Sequence, residues 1–455
     1  MNEIKNDDEL LHNFYPDDSP ELKEKYDEMK DILENFIKEN ENLPEQGSEE
    51  WLKIRTTCIG GSEMSVITGE NKYSNLHTLV AQKIGLKKFT TNVACTWGNI
   101  FEPVTQKLSE ITLGISNMSE TSSLEGVIKE QRYSPDGLGI MKYRYVVDGK
   151  DLYTYHIVLF EYKSPYKTIP NGSIPKHYLP QVKTGLCSIN ISDFAIFVNN
   201  MYRKCQKRDL GFSLDYNDAF YKYEDTANIT EVLAFGMVIF YQSSEQQEKF
   251  KIFYREKYGE FSPSYESESC ESVSELEPES SDSETDDDAV EKIMNNSDTE
   301  IPDLYYNIME SIYENSKLTI DFGGCYYYDI NHLFNLYENK LISVKYENPC
   351  ISDKYYEKEI LKNQLRKNTS NSVAECIDEY NKSINAINGI IGYMSWKLFK
   401  SDIIEVLPEN DYVENLIPKI KEVVEIINDC NNSNSINEKK KKFKTHFPKC
   451  RISLN

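Results

Sequence analysis

The sequence lacks three features that would assign it to common protein classes. No apolar run approaches the roughly 20 residues of a membrane-spanning helix. The segment Met1–Pro20 is acidic, with neither the basic nor the apolar part of a secretory signal. The ten cysteines are scattered without a C-x-x-C pair, and only 6 histidines occur. We therefore expect a non-secreted protein with no membrane partner, no disulfides and no iron–sulfur cluster.

A formal net charge of −24 argues at first against a nucleic-acid partner, because binding to phosphates normally requires a basic surface. The charge is, however, concentrated in two segments. Residues 1–50 hold 17 Asp and Glu against 5 Lys, and residues 261–304 hold 15 against 1. Without these segments, of net charge −12 and −14, the rest of the chain carries +2. A nucleic-acid partner for that remainder is therefore not excluded.

Hydrophobic periodicity predicts a mixed α/β or α+β protein. Apolar residues at helical spacing after Ser19 and Pro20 predict a peripheral N-terminal amphipathic helix. Trp97 is expected in the core. Further helices are predicted at Leu76–Ile84, near Glu102–Leu113, and around Leu416–Ile427. Strands rich in aromatic and β-branched residues are predicted at Tyr143–Val147, Leu152–Tyr162, Asp193–Asn199, Phe235–Tyr241 and Trp396–Leu407.

Two polar segments are predicted to lie outside the packed core. The Ser/Glu/Asp-rich tract Phe261–Asp303 has too few apolar residues to offset the entropy of ordering, so it predicts a disordered loop. Lys439–Lys444 near the C-terminus is basic. A solvated, frayed end is favoured for it over a phosphate-binding arm.

One pair of segments carries possible chemistry. Glu161 and Lys163 are two apart in a predicted strand, so their side chains share one face. Asp136 lies 25 residues before Glu161, in a Pro-Asp-Gly turn. Taken singly, the first pair could be a surface ion pair and the second a simple β-turn. Together, two carboxylates on neighbouring strands form a hard-oxygen site for Mg²⁺, and the lysine can orient or deprotonate an attacking water.

Five motifs surround these residues in a fixed order between residues 51 and 200. They are Arg55 followed by Ile59–Glu63 (IGGSE), Trp97–Pro103 (WGNIFEP), Ser134–Gly137 (SPDG), Phe160–Pro165 (FEYKSP) and Tyr178–Val182 (YLPQV). In this order they resemble the motifs of the YqaJ-type viral recombinases, the family of the phage lambda exonuclease. Stretches farther along, such as Phe197–Cys205 and Trp396–Phe399, are similar to members from large DNA viruses.

The resemblance implies an α/β fold of the restriction-endonuclease-like PD-(D/E)XK class, a mixed sheet flanked by helices with a large insertion. It also implies a role for individual residues. Asp136, Glu161 and the Tyr162 carbonyl would be metal ligands, and Glu102, in the first turn of its helix, would reach a second metal. Lys163 would position the water. Gln181 would orient that lysine or a phosphate oxygen, and Arg55 and Ser62 would grip a 5′-terminal phosphate.

For three of these residues a structural alternative stays open. Glu102 could complement a helix dipole, Arg55 could form a surface ion pair, and Ser62 could be a helix N-cap. Gln181 rests almost entirely on the resemblance, since a glutamine on an exposed helix face is otherwise unremarkable.

The expected function is Mg²⁺-dependent hydrolysis of duplex DNA from a free end, 5′ to 3′, in viral recombination, repair or replication. Two Mg²⁺ ions are expected, with Mn²⁺ as a substitute. Expected partners are duplex DNA, a single-strand annealing or recombination protein and further copies of the chain, at a viral replication site in the host cytoplasm. The alternatives are an endonuclease or RNase on the same fold, and a non-enzymatic host-interaction protein with a vestigial fold.

The predicted domain organisation has five parts. An acidic helical extension (1–50) precedes the nuclease core (51–241). An insertion (242–385) contains the acidic tract (261–304). A closing strand and helix (386–430) and a basic tail (431–455) follow.

Overall fold

The computed structural model describes residues 14–44, 48–88, 92–119, 121–205, 207–214, 231–258, 334, 336–355, 372–409 and 411–449. The chain divides into two compact units. The first combines Met1–Val238 with Tyr346–Lys382 and Met394–Asn455, and the second combines Ile239–Lys345 with Ser383–Tyr393.

Runs of helices and runs of strands follow one another along the chain. The strands are β1 (Ile59–Gly60), β2 (Ile115–Ser119), β3 (Leu124–Glu125), β4 (Gln131–Tyr133), β5 (Gly137–Val147), β6 (Lys150–Lys163), β7 (Phe194–Cys205), β8 (Ala234–Tyr241), β9 (Ser343–Tyr346), β10 (Cys350–Ile351) and β11 (Ile390–Val406). The helices are α1 (Pro20–Glu39), α2 (Glu49–Arg55), α3 (Met64–Thr68), α4 (Leu76–Lys83), α5 (Val93–Leu113), α6 (Leu179–Ser188), α7 (Ser244–Tyr258), α8 (Val373–Ala386), α9 (Ile417–Asn431) and α10 (Ile436–His446).

The central sheet is mixed. Its strands follow the order β10-β8-β11-β7-β6-β5-β2, and β9 pairs with β8. β6 runs parallel to β7, whereas β5 is antiparallel to β6 and β11 antiparallel to β7. A separate small sheet has the order β1-β4-β3. The expected mixed α/β architecture is therefore present.

Strand β6 carries the core on both faces because its residues alternate between two apolar clusters. Ile157 and Leu159 belong to one cluster, which includes residues of α1 and α6. Val158, Phe160 and Tyr162 belong to the other, which includes the end of α5. Helices therefore cover both faces of the strand that leads to the candidate site.

Helix α1 is part of the core, so the expectation of a peripheral element is wrong. It begins as predicted, with the Ser19 hydroxyl accepting from the backbone amide of Leu22 and Pro20 in the first turn. Met29 and Leu33 are buried in the same cluster as Leu159. Burying one such side chain stabilises a fold by about 1.5–3 kcal/mol, so the apolar stripe of the helix outweighs its acidic outer face.

The C-terminal segment differs from its prediction in one respect. β11 and α9 occur where a strand and an amphipathic helix are expected. Lys439–Lys444, however, lies within α10 and is not a frayed end. Ser435 caps this helix through the amide of Glu438, and Phe443 is fully buried against a cluster that includes α9. A single apolar residue among lysines gave too little periodicity to predict this helix.

Several predictions lie outside the described residues, including the acidic tract and the three cysteines at 270, 325 and 450. The insertion boundaries therefore stay predictions. None of the seven cysteines in the described ranges forms a disulfide. No helix in the described ranges is both long and apolar enough to cross a membrane.

Candidate active site

The antiparallel pairing of β5 with β6 brings the two predicted carboxylates together. Gly137 pairs with Phe160, so Asp136 lies just before β5, beside the end of β6. The Asp136 Oδ2 accepts a hydrogen bond from the backbone amide of Tyr162 at 2.8 Å. This bond fixes the aspartate beside Glu161, which is 0% exposed.

Every carboxylate oxygen of Glu161 has a donor. Its Oε1 accepts from the Lys163 ammonium and from the Gln181 side-chain amide. Its Oε2 accepts from the Tyr133 hydroxyl at 2.9 Å. Three donors satisfy this buried carboxylate, which would otherwise be costly to bury.

The Lys163 ammonium marks the point where the predicted metal-ligand oxygens meet. It lies 3.5 Å from Asp136 Oδ2 and 3.0 Å from the Tyr162 carbonyl oxygen, and it also contacts Glu161 Oε1. Two carboxylates and one backbone carbonyl therefore already converge on one positive charge. Among the described residues, no group of three or more Asp, Glu, His or Cys side chains is placed to hold a metal ion.

Burial and the neighbouring charges raise the pKa values of three members of the site, with a different balance of causes in each. Burial, reinforced by the charge of Asp136, raises the pKa of Glu161 above its ordinary value. Burial alone would lower the pKa of Lys163, but the charges of Asp136 and Glu161 outweigh it and raise that pKa. Burial and Glu161 hold the pKa of Tyr133 well above its ordinary value. Lys163 and Tyr133 are therefore hydrogen-bond donors at neutral pH.

Tyr133 is a site residue that sequence reasoning missed. Its ring fits against two glycines that are far apart in the chain. A Cβ added at Gly61 would lie 2.4 Å from the ring Cδ2, and one added at Gly185 would lie 2.4 Å from Cζ. Tyr133 thus links the IGGSE segment, helix α6 and Glu161. In the sequence, the signal for Tyr133 was limited to the two glycines Gly61 and Gly185. Nothing local indicates that both pack against the same ring.

Helix α6 supplies Gln181, whose side-chain amide donates to Glu161. Its expected role towards Lys163 or a phosphate oxygen stays a prediction. Tyr178, at the N-terminal end of the same helix, lies with its ring centroid 5.5 Å from the Lys163 ammonium. The YLPQV segment therefore contributes two side chains to this region.

Glu102 lies in the interior of α5, not in the first turn of a helix as expected. The helix begins at Val93, capped by Asn92, and therefore contains Pro103 in its interior. The dipole explanation for Glu102 is thus wrong. Burial and then the charges of Asp136, Glu110 and Glu102 raise the pKa of Tyr162. Glu102 itself is exposed. Its role as a ligand for a second metal stays a prediction.

Arg55 and Ser62 lie in a charged cluster next to the small sheet. The Arg55 guanidinium is 3.4 Å from Glu63 Oε1, and Lys83 is 2.7 Å from Glu63 Oε2. Arg55 also stacks over Trp51 and stays 34% exposed, so its outer face can meet a ligand. Ser62 is exposed within a 3-10 turn at Gly61–Glu63 and does not cap a helix. Trp97 is a core residue, as expected.

Comparison with known proteins agrees with the sequence motifs. Residues 50–190 match the YqaJ-like viral recombinase domain. The resemblance to the YqaJ-type viral recombinases is confirmed. The matched segment contains every candidate site residue described above, including Arg55, Asp136, Glu161 and Gln181.

Individual relatives share a smaller part of the chain. A protein of African swine fever virus, a large DNA virus, is 28% identical to this chain over 231 residues. The identity is the same for the protein of the Vero-adapted Badajoz strain and for that of the Pretoriuskop tick isolate. The match covers 48% of this chain and 66% of the viral protein, just under two thirds of its length. The alkaline exonuclease LHK-Exo of Laribacter hongkongensis, alone and in complex with dAMP, is 21% identical. Those two comparisons cover 34% and 33% of this chain and 74% and 73% of the exonuclease, each with a TM-score of 0.26.

Proposed function

We propose that the chain is a Mg²⁺-dependent DNA exonuclease with a PD-(D/E)XK active site at Asp136, Glu161 and Lys163. One observation carries this proposal. Asp136 Oδ2, Glu161 Oε1 and the Tyr162 carbonyl oxygen all contact the same cationic group, the Lys163 ammonium.

The donor set fits Mg²⁺. It consists of carboxylate and carbonyl oxygens only, the hard ligands that this ion prefers, and it holds no thiolate or imidazole. Asp136, Glu161 and the Tyr162 carbonyl would hold one ion, and Glu102 is the proposed ligand of a second. Mn²⁺ fits the same oxygens. Bound ions of this kind contribute positive charge that stabilises the phosphodiester as negative charge develops on its oxygens.

The remaining residues orient this chemistry. Lys163, as an ammonium, has donors and no acceptor, so it orients the attacking water by hydrogen bonding and does not deprotonate it. Gln181 and Tyr133 hold Glu161 from two sides, so the carboxylate keeps its orientation when Lys163 turns towards the water. Such pre-organisation matters because misplacement by about 1 Å can reduce a rate on the order of 100-fold.

Strand polarity rests on Arg55 and Ser62. We propose that they bind a 5′-terminal phosphate, because a guanidinium makes paired hydrogen bonds to phosphate and Ser62 exposes a hydroxyl nearby. The expected direction is 5′ to 3′ on duplex DNA, with a single strand left for an annealing or recombination partner during viral DNA metabolism at a replication site in the host cytoplasm.

A substrate panel tests the activity. Linear duplex labelled at either 5′ or 3′ ends, closed circular duplex and labelled RNA are each incubated with the full chain and Mg²⁺. We expect the linear duplex to yield mononucleotides, with the 5′ label released before the 3′ label. The closed circle and the RNA should stay uncleaved. Cleavage of the circle would indicate an endonuclease and cleavage of RNA an RNase. No cleavage of any substrate would favour a non-enzymatic role.

A further inference from the structure

A short series of aromatic rings leads away from Lys163 towards solvent. The Lys163 ammonium lies 5.5 Å from the ring centroid of Tyr178. The Tyr178 ring is 4.1 Å from His177, and His177 meets Tyr73 at 5.4 Å and 89°. We call Tyr73, His177 and Tyr178 the aromatic ladder. It connects two loops that are about a hundred residues apart in the chain.

The outer end of the ladder is unusually exposed and also well ordered by hydrogen bonds. Tyr73 is 73% exposed, more than any other large hydrophobic side chain in the described ranges. Its loop is nevertheless held by Asn71, whose Oδ1 accepts from the amides of Tyr73 and Ser74. Asn71 itself donates to the Ser65 hydroxyl at 2.8 Å. An exposed aromatic ring on a loop held by hydrogen bonds is therefore available for stacking on a ligand.

Charge and hydrogen-bonding capacity at the ladder match a nucleic acid. At the outer end, the Lys72 ammonium lies 4.7 Å from the centroid of the Tyr73 ring, and at the inner end the Lys163 ammonium lies 5.5 Å from that of Tyr178. His177 Nε2 has no hydrogen-bond partner among the described residues. Burial, with a smaller effect of Lys72, lowers the pKa of His177, so its planar ring is neutral at neutral pH. Aromatic rings interleaved with cations are typical of surfaces that bind single-stranded nucleic acid.

We propose that the aromatic ladder is a stacking surface for unpaired bases of the DNA strand whose phosphodiester lies at Lys163. Bases next to the reacting phosphate would stack on Tyr178 and Tyr73, and Lys72 would contact the adjoining phosphate. This inference rests on the proposed nuclease function and adds a base-binding subsite to it. Because every base has a π face, the surface accepts any sequence.

The test measures binding and stacking separately from cleavage. The full chain carrying Asp136→Asn is mixed with a short single-stranded oligonucleotide that contains 2-aminopurine near its 5′ end. Anisotropy gives the Kd, and quenching of 2-aminopurine fluorescence reports stacking. The comparison is with the same protein carrying Tyr73→Ala or Tyr73→Phe, and with Leu407→Ala, an apolar side chain outside the ladder that is 66% exposed.

Loss of one stacked base corresponds to an increase in Kd of about 5- to 150-fold. We expect Tyr73→Ala to weaken binding within this range and to reduce the quenching. Tyr73→Phe should retain both, because it keeps the ring, and Leu407→Ala should change neither.

Quenching and Kd that are unchanged in Tyr73→Ala, in a protein whose wild-type form cleaves DNA, would overturn the ladder and leave the nuclease proposal standing. A wild-type chain that neither binds the oligonucleotide nor cleaves duplex would overturn the proposed function and this inference with it. A Tyr73→Ala effect that the phenylalanine variant shares would also overturn stacking, because it would assign the effect to the hydroxyl.

Discussion

Replacing Tyr133 with phenylalanine is the perturbation that most specifically probes how Glu161 is held. The substitution removes the hydroxyl that donates to Glu161 Oε2 at 2.9 Å and keeps the ring that fits against Gly61 and Gly185. Both partners of this bond are buried. A hydrogen bond to a charged group contributes about 1.5–3 kcal/mol. If that energy is expressed in the transition state, kcat/KM on duplex DNA should fall roughly 10- to 150-fold, at about 1.4 kcal/mol per factor of ten.

A matched variant separates this effect from a general loss of stability. Tyr355→Phe removes another buried hydroxyl, which bonds Ser401 at 2.9 Å. Thermal unfolding should shift to a similar extent in both variants, but only Tyr133→Phe should lose activity and require more Mg²⁺ for half-maximal cleavage. Equal activity in the two variants, or an unchanged Mg²⁺ requirement in Tyr133→Phe, would refute the positioning role.

Three further predictions concern Arg55, two glycines and the acidic tract. Arg55→Ala should slow digestion of 5′-phosphorylated ends far more than of 5′-hydroxyl ends, and equal slowing would return Arg55 to its ion pair with Glu63. Gly185→Ala should lower the unfolding temperature, since overpacking against Tyr133 costs about 1–3 kcal/mol, whereas Gly98→Ala, where a Cβ meets open space in α5, should raise it. Deleting the acidic tract 262–303 should leave turnover at low salt intact and tighten duplex binding, an effect that fades as salt screens charge over about 8 Å; loss of folding would place the tract inside the domain.

The sequence predicted the elements that have strong periodicity. α1, α4 and α9 and the strands β5 to β8 and β11 occur where hydrophobic patterns place them, although β5, β7 and β11 are longer than expected. The added parts of β5 and β11 contain glycines (Gly137, Gly139 and Gly392), and the added part of β7 is partly polar; both features weaken a strand pattern. α5 begins nine residues before Glu102, because Gly98 and Pro103, which disfavour a helix interior, interrupt its apolar stripe in the sequence.

For the candidate site, the residues were predictable and their contacts were not. Alternation along β6 placed Glu161 and Lys163 on one face, and the structure confirms that they touch. That Gln181 donates to Glu161, and that Tyr133 joins them, depends on how α6 and the small sheet pack against β6. Such packing joins residues far apart in the chain, so no local pattern encodes it. The same holds for Tyr73 and His177.

We propose that Asp136, Glu161 and Lys163 form one metal-dependent catalytic assembly. Cleavage of an end-labelled linear duplex by the wild type is compared with Asp136→Asn, Glu161→Gln and Lys163→Ala, each checked for folding, in Mg²⁺ and in Ca²⁺. We expect cleavage only by the wild type and only in Mg²⁺. DNA binding should be retained in Ca²⁺, which does not support cleavage because it accepts longer and looser coordination. A well-folded variant that cleaves DNA at the wild-type rate, or brisk hydrolysis in Ca²⁺ alone, would show that these three residues do not form such an assembly.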